Sequence, residues 1–202
     1  MTGIISDNVG RTSGLIKSAG GGGGTWTLIS TFTSDGSDAT ATFDSGIDST
    51  YPIYLFKIIN IHPETGGAFN VNFRDGSTAY DATKTTTAFQ AQIEETGSYG
   101  SLAYSGSWDL QQSTAVQGIA PDVGKGNDES CSGFLWLFDP SSTVSVKHFL
   151  IRMNQYHGAD FSQDWHIGGY CNCTAAIDGV QFSFASDDIQ GGKIKMYGLS
   201  DS

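Results

Sequence analysis

From Thr25 onward, apolar and polar side chains alternate with a period of two. That period leaves little but half-buried β-strand open to the chain. In TWTLISTFT (25–33), Trp26 and Leu28 alternate with Thr27 and Ile29. In AFNVNFRD (68–75), Phe69, Val71 and Phe73 take one face and Asn70, Asn72 and Arg74 the other. TAFQAQIEE (87–95) places Phe89, Ala91 and Ile93 inward by the same rule, and Val180, Phe182 and Phe184 repeat it. ATATFD (39–44) and KIKMYG (193–198) are shorter examples, the latter with Ile194 and Met196 on one face. PIYLFKIINIH (52–62) and SGFLWLFD (132–139) are denser, as central strands are. In TVSVKHFLIRMNQY (143–156) the parity of Val144, Val146 and His148 passes to Phe149, Ile151 and Met153, which predicts a bulge near His148. Turns such as SDGSD, ETGG, RDGS, DPSS and QGGK separate the runs.

Strands at this spacing predict an all-β protein, an antiparallel jelly-roll-like β-sandwich. The interval 96–130 breaks the pattern. It is too long for a hairpin loop, and WDLQQSTAVQGI within it suits one or two helical turns capped by Asp109. Gly accounts for 27 of 202 residues, which disfavours long helices.

Residues 1–24 form a separate unit, an extended arm ending in the linker Gly20–Gly24, and residues 25–202 form the β-sandwich domain. The arm carries Ile4, Ile5, Val9, Leu15 and Ile16, too few to make a core, with Arg11 and Lys17 against Asp7. Its charge is therefore +1, against -12 for the rest of a chain whose net charge is -11. A slightly basic, apolar arm tethered to an acidic body reads as a docking element; a frayed terminus is the alternative.

Charge and hydropathy set further limits. The longest apolar run, Phe134–Phe138, is far short of the ~20 residues of a membrane helix. No basic segment precedes an apolar stretch at the N-terminus, so no secretory signal is expected. An acidic chain without a Lys/Arg cluster is not expected to bind nucleic acid. Cys131, Cys171 and Cys173 are odd in number and read as free thiols in a reducing compartment.

Catalytic motifs are missing from the sequence: it has no GxSxG elbow, no phosphate loop and no DxDxDG calcium loop. His157, Asp160, Asp164 and His166 cluster in QYHGADFSQDWH, but their spacing matches no standard metal set. Glu94, Glu95 and Asp109 read as solvated carboxylates rather than a glycosidase pair. No catalytic residue, metal ligand or cofactor is expected. Tyr99, Tyr104 and Trp108 lie among Gly and Ser in the long interval, a mixture like that of an adaptable binding loop. They are the candidate ligand contacts, a satellite cluster over one end of the sandwich being the alternative.

The opening TGIISDNVGRTSGLIKS and several phrases of the body resemble virion structural proteins of marine tailed phages. The body phrases are FDSGIDSTYPIYLFKIINIHP, TKTTTAF, LAYSGSWDL, SGFLWLFDPSSTVSVKHF and GGYCNCTAAIDGVQFSFASDDIQGGKIKMYG. The resemblance covers nearly the whole chain; the five-glycine linker and the CNC at 171–173 depart from it. It implies a non-enzymatic surface module of the virion, a capsid decoration protein or a short head or tail fibre. It also implies a homotrimer that contacts other virion proteins and is assembled in the bacterial cytoplasm. A lectin-like module that binds a host surface glycan is the alternative function.

Overall fold

The computed structural model describes residues 25–200. The arm residues Ile4, Ile5, Val9, Arg11, Leu15, Ile16 and Lys17 lie outside them. Twelve strands and no helix make up the described residues. In chain order these are β1 (Trp26–Thr33), β2 (Ala41–Phe43), β3 (Ile53–Pro63), β4 (Gly67–Arg74), β5 (Lys84–Glu94) and β6 (Gly100–Tyr104). β7 (Gln117–Val123), β8 (Cys131–Phe138), β9 (Lys147–His157), β10 (Phe161–Cys171), β11 (Gly179–Phe184) and β12 (Ile189–Leu199) follow.

All pairings are antiparallel, and the strands join into one large sheet that nearly closes into a barrel. The main path runs β1-β12-β3-β8-β9-β7-β4-β11-β2, and β10, β5 and β6 extend from β9. Strand β9 is the branch. Its residues Phe149–Gln155 pair β8, its whole length pairs β10, and His157 hands over to Val123 of β7. The free ends of the path, β1 and β2, meet near a single bridge in which the Ile189 N–H donates to the Asp38 carbonyl at 2.8 Å. The Ser34 N–H donates to the Gly192 carbonyl beside it, at 3.1 Å.

The core sits where β4 and β11 face β3 and β9. Phe182 stacks on Phe69 at 5.9 Å and packs against Phe56 and Phe43; Phe73 meets Phe149 at 4.8 Å. Each such ring contributes about 1.5–3 kcal/mol by leaving water. The predicted inward sets of β4, β11 and β12 are all buried.

Three expectations are corrected. First, Phe89, Ala91 and Ile93 point outward, and Lys84, Thr86 and Ala88 point in. The interior beneath β5 is polar: Thr86 donates to Gln117, while Gln155 donates to Gln163 and Gln163 to Gln92, each at 2.7 Å. A strand over such a belt buries its polar parity. Second, no bulge occurs at His148. β9 begins at Lys147 and pairs β10 residue for residue, while Val144 belongs to the exposed turn before it. Third, the interval 96–130 holds β6 and β7 rather than helical turns. After β6 the chain stays on the edge of β5, where the Thr86 N–H donates to the Leu110 carbonyl and Lys84 bridges Ser113. Strand β10, which carries Asp164 and His166, is a further strand not among those that the alternation marked.

Candidate functional site

Eight strands in the order β1-β12-β3-β8-β9-β10-β5-β6 present one broad outer face. The register aligns its outward side chains into rows. One row runs Leu28, Tyr197, Leu55, Trp136, Leu150, Gly168, Thr87. The next runs Lys195, Lys57, Phe134, Arg152, His166, Phe89, Tyr104. Of the large apolar side chains exposed among the described residues, all but Tyr99, Val116 and Val144 lie on this face. Scattered exposed apolar residues are ordinary, but a contiguous apolar patch marks a contact surface.

Local packing fixes the geometry. Trp136 lies between Trp26, at 5.3 Å, and Phe134, at 6.3 Å, both edge-on. Lys57 holds its ammonium 5.9 Å from the Tyr197 ring, and a depression of about 330 Å³ opens among Trp26, Lys57, Trp136 and Tyr197. Next to it a groove of about 380 Å³ is bounded by Phe89, Phe134, Trp136, Leu150 and His166. Gly168 occupies a row position without a side chain, leaving the space between Leu150 and Thr87 open.

Polar groups stand among the rings. Arg152 grips Asp164 with two nitrogens, Nε to Oδ1 at 3.1 Å and Nη2 to Oδ2 at 2.8 Å. His166 Nε2 lies 3.3 Å from the same Oδ2. Arg152 first, then His166, hold the Asp164 carboxyl below the usual carboxylate range, and Asp164 in turn raises the Arg152 pKa. Asn154 donates to Ser162 and to the Gln163 carbonyl. Planar rings beside a fixed guanidinium, an imidazole and a carboxamide can stack against a ligand and hydrogen-bond it.

The three predicted contact aromatics go to different places. Tyr104 joins the outer face, opposite Phe89, and its hydroxyl donates to Asp109. Tyr99 sits in the β5–β6 turn, edge-on to Phe161 at 6.2 Å. Trp108 turns inward, lying over Gly118 and 6.3 Å from Trp165. Of the four His and Asp residues of QYHGADFSQDWH, Asp164 and His166 stay together and the other two go elsewhere. His157 faces Asp122 at 3.1 Å, Tyr156 donates to Asp160, and His166 and Asp164 face outward. Among the described residues no group of three His, Cys, Asp or Glu side chains could hold a metal ion. Sequence reasoning missed Phe134, Trp136, Leu150 and Arg152 as surface residues. Their signal was the alternation inside strands dense enough to pass for wholly buried ones.

The chain matches no protein-family model, no curated protein and no solved structure.

Proposed function

We propose that this chain is a non-enzymatic structural protein on the surface of a tailed-phage virion, a capsid decoration protein or a short head or tail fibre. The observation that carries the reading is the outer face: a broad, ring-lined sheet surface suits a protein that works by contact. The sequence resemblance supplies the particle. On this reading the body is a jelly-roll-like sandwich, and the arm, through Ile4, Ile5, Leu15 and Ile16, docks on capsid or tail proteins. Closure into a homotrimer covers sheet edges that would otherwise invite non-specific pairing.

The test is reconstruction of the particle by electron cryomicroscopy, with and without residues 2–19. Density for the chain on the particle, lost on deletion while the body stays folded, is the expected result. Normal incorporation without the arm would refute docking, and absence of the chain from particles would refute the virion reading. A second reading, recognition of a host surface glycan, is favoured by the rings and hydrogen-bonding groups that share the outer face.

A further inference from the structure

We propose that the outer face binds an anionic glycan, with Arg152 at the centre of the site and Phe134, Trp136 and Phe89 as stacking platforms. Charge distribution is the first argument. Among the eight Lys and Arg of the described residues, Lys84 and Lys147 are buried and Arg74 is bound to Asp178. Lys57, Lys193, Lys195 and Arg152 all project from the outer face, and Lys125 alone is exposed elsewhere. Asp164 is the one carboxylate that projects outward from the strands of this face, since Glu94 ends β5 on the inward parity, and Asp109 lies at its edge against the Tyr104 hydroxyl. Four cations against Asp164 and Asp109 leave this face at +2, within a body whose net charge is -12.

Chemistry is the second argument. A sugar ring offers apolar C–H faces to aromatic rings and hydroxyls to hydrogen-bonding side chains, and an acidic sugar adds a carboxylate or sulfate for a guanidinium. The face supplies all three within neighbouring rows. Arg152 is fixed by Asp164 on one side, yet its side chain is 55% exposed, so the rest of its fork is free to bind. From β3 to β6 the row spans about 24 Å at ~4.8 Å per strand, room for an extended chain of several sugars. A second copy fits less well: face-to-face pairing would set one cationic surface against another.

The inference rests on reading the body as a contact module, not on its placement in a virion; loss from particles would end the latter and leave binding untouched. The test is calorimetric titration of the full chain with an oligomannuronate, a neutral mannose oligosaccharide of matched length, and polyphosphate. The oligomannuronate is expected to bind, and the neutral oligosaccharide to bind at least roughly tenfold more weakly. Arg152→Met and Phe134→Ala should each cost roughly tenfold in affinity with unchanged circular dichroism, and Arg152→Lys should recover part of the loss. No binding of oligomannuronate at about 1 mM would overturn the proposal. So would equal binding of polyphosphate that Phe134→Ala does not alter, since that is bare polyanion attraction. Self-association by light scattering that Phe134→Ala abolishes would assign the face to a second copy and overturn it as well.

Discussion

Phe89 and His166 face each other across β5 and β10 with their rings 4.8 Å apart and only 4° from parallel. The stack stands on the outside of the sheet, so β5 has its aromatic parity in solvent and Ala88 in the interior. This orientation is open to a direct check. Phe89→Ser is expected to change stability by less than about 1 kcal/mol, whereas Ala88→Leu should cost about 1–3 kcal/mol by overpacking. Urea unfolding of both variants decides it; the reverse order would mean that β5 is inverted.

Lys84 gives a prediction in pH. Its ammonium is buried, donating to Asn72 Oδ1 at 2.5 Å and to the Ala82 carbonyl at 2.8 Å, and burial pulls its pKa down to about 8. Between pH 8 and the unfolded value of about 10.4, the unfolded chain holds a proton that the folded chain has released. Stability attributable to Lys84 therefore rises with pH through that window and is lost again as pH falls toward 8. Relative to Lys84→Met, the natural protein should gain up to about 3 kcal/mol across it. A pH-independent difference would show that Lys84 keeps its ordinary pKa.

At Gly118 the indole of Trp108 occupies the space that a Cβ would need. Gly118→Ala must push Trp108 off this seat and away from Trp165. The expected outcome is a loss of about 1–3 kcal/mol together with a red shift of tryptophan emission. Unchanged emission would mean that Trp108 does not rest there.

The three thiols differ in reach. Cys131 and Cys171 are buried, and burial pushes the Cys171 thiol up to about 12 even though Lys84 and Lys147 lie opposite it on both neighbouring strands. Cys173 is partly exposed, its pKa raised mainly by burial and lowered in part by Lys147. Alkylation at pH 8 followed by intact mass should add one label to the folded chain, at Cys173, and two more only after denaturation. Two fast labels on the folded protein would contradict this packing.

How far the sequence speaks depends on what lies beneath each strand. β3, β4, β11 and β12 cover an aromatic interior, so the period of Phe69, Val71 and Phe73, or of Ile194 and Met196, marks their inward side directly. β5 and β10 cover the glutamine belt of Gln92, Gln163 and Gln155, so hydropathy alone reverses the first and conceals the second. β6 is GSLAY, short and weakly patterned, and β7 holds Pro121 and Asp122, which weaken its strand signal. The candidate site was legible only in part. Tyr104 was named from its loop context, but a surface made by eight strands depends on register, and no single segment displays it.

The two ends of the strand path are fastened by little more than the Asp38–Ile189 bridge and the Ser34–Gly192 hydrogen bond, whereas β1 is laddered along β12 and β2 pairs β11 through all three of its residues. Such a join is a clasp: it can undo without unpicking the weave on either side. Slack in the molecule should therefore gather at this clasp, at the β12 end of the outer face and four strands along the sheet from His166.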